Sequence, residues 1–164
     1  MRTSWKRTRA LLASILAVAA AVALLSGCGG KADKNDAAPS IEELGTKIEQ
    51  AADLKEMEQR DGEKLKKLYK IDPDNLDGFI LYTSTSNVRA DELAVIKLKD
   101  ARQTEQVQKN IEQRIAAQKI KFKDYRPEEY FLVENHVLKS KGPFVFFAVS
   151  KEAKQMEQAF DGAF

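Results

Sequence analysis

Apolar positions recur along this chain with two different periods, and each change of period marks an element. Ile41, Leu44, Ile48 and Ala51 fall three or four apart, which predicts a helix over about residues 41–53. Ser40 and Glu43 at its start have the Ser-x-x-Glu spacing of a capping box. Leu65, Leu68 and Tyr69 predict a shorter helix from Gly62 to Tyr69, capped by Asp61. Asp-Pro, Asp-Asn and Asp-Gly pairs then punctuate Ile71 to Gly78 as a turn-rich crossing. Phe79 to Thr85, aromatic and β-branched, reads as a strand, and Ser86 to Asp91 as a polar loop. Glu92 to Lys99 alternates, with Ala94, Ile96 and Leu98 on one face and Lys97 and Lys99 on the other. These two strands predict an antiparallel hairpin.

Asp100 caps a long helix predicted from Ala101 to about Lys119, with Val107, Ile111 and Ile115 as its buried stripe. Tyr130 to Lys139 and Pro143 to Ser150 read as two further strands joined around Ser140-Lys141-Gly142. Phe144 to Val149 is the most apolar stretch of the chain after its leader. At a sheet edge it would invite aggregation, so it is expected inside the sheet or covered on both faces. Ser150 opens a last helix that buries Ala153, Met156 and Phe160. The order ααββαββα predicts an α+β domain: an antiparallel sheet of about four strands in two hairpins, with helices packed mainly on one face.

The leader changes the picture of where the protein works. Arg2, Lys6, Arg7 and Arg9 precede the apolar run Ala10 to Leu25, which is somewhat short for a spanning helix of ~20 residues. Leu25-Ser26-Gly27-Cys28 follows at once and contains the only cysteine of 164 residues. The pattern looks like a bacterial lipobox, with cleavage between Gly27 and Cys28 and a diacylglyceryl group on the Cys28 thiol. An uncleaved anchor or an ordinary secretory signal would leave the position of Cys28 unexplained. The expected organisation is a lipoprotein signal peptide over 1–27, a lipidated cysteine and flexible tether over 28–39, and a single α+β domain over 40–164. Two acyl chains at ~0.8 kcal/mol per methylene contribute on the order of 20 kcal/mol of membrane affinity. The expected location is the outer face of the cytoplasmic membrane, extracellular, with the lipid anchor as the membrane contact. Gly29 to Pro39 is small and polar, and as a random coil reaches roughly 18 Å above the bilayer.

Loss of residues 1–27 leaves 23 Lys and Arg against 25 Asp and Glu, two net negative charges. An evenly mixed surface of that kind argues against nucleic acid as a partner. With no second cysteine there is no disulfide, so the core has to carry the fold.

Several segments resemble the bacterial lipoprotein domain of unknown function numbered 4358. They are Ala90-Asp91-Glu92-Leu93-Ala94-Val95-Ile96-Lys97, Arg114 with Gln118, Asp124-Tyr125-Arg126-Pro127, and Glu134-Asn135-His136. The similarity runs over roughly residues 41–160 and includes the lipobox upstream. It implies a Gram-positive-type cell-surface lipoprotein and carries no activity or catalytic residue with it.

Asp72-Pro73-Asp74-Asn75-Leu76-Asp77-Gly78 has the carboxylate density of a calcium loop but the wrong register, with Leu76 at the fifth position, Asp77 at the sixth and Thr83 at the twelfth. A turn explains it. His136 is the only histidine and sits beside Glu134 without a nucleophile, so a half-exposed strand position explains it better than general-base chemistry. No metal site, cofactor fingerprint or hydrolase elbow is expected. Asp91 and Glu92 with Arg114 suggest an ion pair across the sheet edge, structural before it is a ligand clamp. Tyr125 and Arg126 are residue types that anchor binding surfaces, although a tyrosine closing the sheet edge is the plainer account. Phe122, Tyr130 and Phe131 suggest either an aromatic groove with Tyr125 or completion of the core.

Asp91, Glu92, Arg114, Tyr125 and Arg126 are accordingly the candidate partner or ligand surface. The expected function is a membrane-anchored, non-enzymatic binding or scaffold domain, with an envelope protein as a candidate partner. The alternative is an accessory cell-envelope enzyme or a small-ligand-binding lipoprotein.

Overall fold

In the computed structural model the described residues are 38–164, so the expected signal peptide, Cys28 and nearly all of the tether lie outside them. A helix α1 (Ile41–Ala51) comes first, and its capping box is complete: the Ser40 hydroxyl accepts from Glu43 N while the Glu43 carboxylate accepts from Ser40 N. Strand β1 (Met57–Gln59) and helix α2 (Gly62–Tyr69) follow, α2 capped by the Asp61 carboxylate. Asp72 caps a 3-10 turn at Pro73–Asn75 that leads into β2 (Leu76–Ser84). Then come β3 (Glu92–Leu98), a 3-10 turn at Ala101–Gln103, α3 (Thr104–Phe122), α4 (Pro127–Glu134), β4 (Val137–Lys141), β5 (Phe144–Val149) and α5 (Ala153–Asp161).

The strands form one antiparallel sheet in the order β1-β2-β3-β5-β4. The α+β class and both predicted hairpins are present. A fifth strand joins them: β1, only three residues long, pairs Met57 with Ser84 at the edge. The turn of the second hairpin contains Gly142 at φ 57°, a left-handed conformation that glycine accepts without a Cβ penalty.

Two expectations are corrected. Residues 130–134 are helical rather than extended. Pro127 at the first turn and Glu128 and Glu129 behind it suit a helix N-terminus, and this outweighs the strand propensity of Tyr130 to Val133. The second correction concerns layering, because helices cover both faces of the sheet. Leu81, Ala94, Ile96, Val145, Phe147 and Val149 pack with Leu65 and Tyr69 of α2, Val107, Ile111, Ile115 and Phe122 of α3, and Leu132 and Val133 of α4. The alternate positions Ile80, Leu93, Val95, Phe144, Phe146 and Ala148 pack with Leu44 and Ile48 of α1 and Met156 and Phe160 of α5. Every residue of β5 is buried, inside the sheet and covered on both faces as its apolar run demands.

Candidate functional site

Strand β3 lies at the centre of the sheet, and its first residue, Glu92, stands opposite Thr83 of β2 and Val149 of β5. By the two-residue alternation of a strand, Glu92 continues the series Leu98, Ile96, Ala94 on the α2/α3 face. It is therefore a carboxylate at the end of an apolar row, and only 1% of it is exposed. A buried carboxylate persists where hydrogen-bond donors replace its water. Glu92 has three. Arg114 of α3 places Nη2 2.7 Å from Oε2 and Nε 3.2 Å from each oxygen. Gln118, one turn further along α3, donates through Nε2 to Oε2 at 3.1 Å. The Tyr69 hydroxyl, at the end of α2, donates to Oε1.

The electrostatics follow from burial. Tyr69 is fully buried, and desolvation, then the charge of Glu92 and the hydrogen bond to it, hold the phenol well above its ordinary ionisation range. Burial opposes the charge of the Arg114 guanidinium, but the hydrogen bond and charge of Glu92 outweigh this and raise its pKa. The expected Glu92–Arg114 ion pair thus exists, at the middle of the sheet rather than at its edge. Asp91 pairs elsewhere, with Arg89 Nε at 2.9 Å.

Above this floor lies a cleft of about 300 Å³. Its walls are the ends of β2 and β3, the loop between them, Lys64 and Leu68 of α2, and Arg114, Gln118 and Lys121 of α3. Positions 114, 118 and 121 recur at helical spacing, so one face of α3 supplies all three. Arg60, Lys64, Arg89, Arg114 and Lys121 line the cleft against the acids Asp91 and Glu92. Lys121 donates to Asn87 O at 2.6 Å. Desolvation, then the neighbouring Arg114 charge, push its ammonium below the ordinary range. One acceptor is left over: Gln118 Oε1 is buried and has no hydrogen-bond partner among the described residues.

The other sequence candidates lie apart from the cleft. Tyr125 does not close the sheet edge and is 76% exposed in the connection between α3 and α4. Arg126 sits 3.9 Å from Glu129, whose other oxygen accepts from Ala90 N at 2.8 Å, so it reaches the β2–β3 loop only through Glu129. His136 places Nδ1 2.7 Å from Val133 O and lines no part of the cleft. Asp72 caps its turn and accepts from Lys66 Nζ at 2.7 Å, and that bond, with a second from Asp74 N, holds its carboxyl below the usual range. Phe122 is core, Tyr130 packs against the core, and Phe131 is exposed. Among the described residues no group of three or more His, Cys, Asp or Glu is placed to hold a metal ion. The sequence reading missed the parts played by Tyr69 and Gln118. Tyr69 was legible only as a core position, whereas the spacing of Gln118 from Arg114 was a usable signal.

The family described as Domain of unknown function (DUF4358) matches residues 50–150. The chain belongs to this family. The matched segment contains the whole sheet, α2, α3, α4 and every residue that lines the cleft, while most of α1 and all of α5 flank it. No curated protein and no solved structure matches the chain. Among the described residues no helix is long and apolar enough to cross a membrane.

Proposed function

We propose that this DUF4358 protein is a lipoprotein held on the outer face of the cytoplasmic membrane by a diacylglyceryl group on Cys28. Its domain acts there as a non-enzymatic binding module. The recognition surface is the cleft over Glu92, with Asp91, Glu92 and Arg114 in its walls. The lipobox pattern supports the location, and the cleft supports the role. The observation that carries the role is a rigid polar floor beneath an open space. Glu92 is fixed by three donors from two helices, and the groups around it stand on a sheet packed on both sides. Such preorganisation lowers the ordering cost of binding. Ser84 and Ser86 use their hydroxyl oxygens to accept from Ser86 N and Val88 N, which builds the loop and leaves no histidine-activated nucleophile at this wall.

Both halves of the reading are testable in cells. A palmitate analogue should label the wild-type chain, and Cys28→Ala should abolish the label and leave an unprocessed precursor. Equal labelling of the variant removes the lipoprotein half. For the binding half, a photo-crosslinking residue at Asn87, on the cleft rim, should capture a discrete adduct on intact cells. The same group at exposed Lys151 should not. Indistinguishable patterns from the two positions would remove the cleft as the recognition surface.

A further inference from the structure

The cleft has an excess of hydrogen-bond donors, and the imbalance specifies a ligand. The described residues carry 21 Lys and Arg against 23 Asp and Glu, yet the cleft gathers five of those bases and only two of the acids. Both acids are already paired. Several donors remain unspent. The Lys64 ammonium has no hydrogen-bond or ion-pair partner among the described residues, although the Lys64 backbone N–H serves the α2 cap. Arg114 reaches Glu92 through Nε and Nη2, which leaves Nη1 without a partner among those residues. The Thr83 hydroxyl accepts from Arg60 Nε at 2.7 Å, and those of Ser84 and Ser86 accept from backbone N–H groups at 3.1 and 3.4 Å. A hydroxyl used as an acceptor keeps its own proton to donate.

These donors outnumber the lone pairs that a carboxylate can offer in one place. They suit the three acceptor oxygens and near-double charge of a phosphate group. Arg114 and Lys121 line the same cleft, and after desolvation the Arg114 charge helps hold the Lys121 ammonium below its ordinary range, an effect that a bound anion would offset. The buried acceptor that has no partner among the described residues is the second, independent feature. Gln118 is 4% exposed, and turning its amide over would set Oε1 against the Glu92 carboxylate, so the oxygen stays where it is. A buried acceptor without a partner costs roughly 1–3 kcal/mol, and a donor brought by the ligand recovers it.

We propose that the cleft binds a phosphorylated polyol: a phosphate held by Lys64, Arg114 Nη1 and the hydroxyls of Thr83, Ser84 and Ser86, with a neighbouring hydroxyl donating to Gln118 Oε1. This deepens the reading of the cleft as a recognition surface and rests on it. The same chemistry occurs in a soluble sugar or glycerol phosphate and in a phosphatidylglycerol headgroup.

The test uses the full chain in detergent, with binding measured by calorimetry. Glycerol 3-phosphate should bind at least about tenfold more tightly than inorganic phosphate, glycerol or glycerate, the tenfold corresponding to about 1.4 kcal/mol for the added hydroxyl contact. Lys64→Ala, a change at a half-buried position whose ammonium has no partner among the described residues, should weaken glycerol 3-phosphate about tenfold with little change in melting temperature. Gln118→Leu should erase the preference over inorganic phosphate. If that variant is unfolded, the Lys64→Ala result and the probe ranking decide the matter alone. Competition by phosphatidylglycerol vesicles but not by phosphatidylcholine vesicles would assign the lipid as the source, and no competition would assign the soluble ligand; the proposal holds in either case. Equal binding of inorganic phosphate and glycerol 3-phosphate, equal binding of glycerate, or no phosphate binding at all overturns it. Should the phosphates fail while the Asn87 crosslink persists, the ligand class falls and the binding module stands. If the phosphates bind and the crosslink is absent, the ligand site holds and the reading of the cleft as the surface that meets an envelope partner falls.

Discussion

At the scale of single residues, Glu92 decides most of the local energetics. It is a carboxylate in the first layer of a sheet core, tolerated because three donors replace its water. Removing one partner therefore costs more than the bond was worth, since the charge stays behind. Arg114→Met should lower stability by about 3 kcal/mol in urea denaturation. Adding Glu92→Gln to it should recover at least ~1 kcal/mol by removing the stranded charge. Strict additivity of the two changes would show that they do not share one network. Tyr69 gives this site a pH signature. Burial, together with the charge and hydrogen bond of Glu92, raises its folded pKa above the unfolded value of about 10. The unfolded phenol then ionises first. Its contribution to stability is complete below about pH 10 and is lost as the pH climbs toward the folded pKa. Tyr69→Phe should be less stable at neutral pH by about 1–3 kcal/mol, through the lost bond to a charged group. Its stability should also fall less steeply above about pH 10, and a parallel alkaline limb would remove Tyr69 from that role. The Glu92–Arg114 pairing was legible because an acid at a strand start and a base on the next helix invite it. Gln118, one helical turn from Arg114, carried a usable signal, but Tyr69 did not, because nothing in a linear pattern distinguishes a tyrosine that is core from one whose hydroxyl meets a buried charge.

At the scale of elements, local chemistry was readable where a cap or a period was strong. The Ser40 box and the Asp61 cap sit where their spacing puts them, and α2 has the predicted bounds. Reading failed where two signals competed. Tyr130 to Val133 has strand-like side chains, but Pro127 and two following acids begin a helix, and the helix wins because it also buries Leu132 and Val133 against the core. β1 escaped notice for another reason: three residues carry no period, and only pairing with β2 makes them a strand. One element is ended at a cost. Helix α2 stops at Lys70, which takes a left-handed conformation at φ 59°. A side chain there carries a penalty of roughly 1 kcal/mol that glycine avoids, and glycine is the usual residue after a helix. Lys70→Gly should raise the denaturation midpoint, worth about 0.5–1 kcal/mol, without changing the slope of the transition. A lower midpoint would mean that glycine's extra freedom in the unfolded chain outweighs the relieved strain.

At the scale of the whole domain, the decisive fact is that one sheet serves two cores. The expectation of helices mainly on one face came from the element order ααββαββα, with Ala94, Ile96 and Leu98 read as one face of β3 and Lys97 and Lys99 as the other. Leu93 and Val95 between them are equally buried, and the continuous apolar run of β5 shows the same two-sided burial. A continuous apolar strand says that both faces are covered without saying by which helices. That information lies in how α1 and α5 return to the far side, a long-range matter that periodicity does not encode. The arrangement also makes a mechanical claim. Phe146 and Phe147 are neighbours on β5 but belong to opposite cores, Phe146 tilted against Phe160 of α5 at 5.1 Å and Phe147 edge-on to Tyr69 of α2 at 6.3 Å. If the layers were independent, Phe146→Ala would loosen only α1 and α5. Because β3 and β5 are shared, loss of either layer exposes the apolar backs of the same two strands to water. Each of Phe146→Ala and Phe147→Ala should therefore cost about 3–5 kcal/mol and keep a single transition, seen at one denaturant concentration by far-ultraviolet and near-ultraviolet circular dichroism. Two separated transitions in the Phe146→Ala protein would show instead that α1 and α5 unfold by themselves. The cleft over Glu92 would then rest on the α2/α3 layer alone, so the same experiment measures how far the second layer contributes to the rigidity on which the proposed site depends.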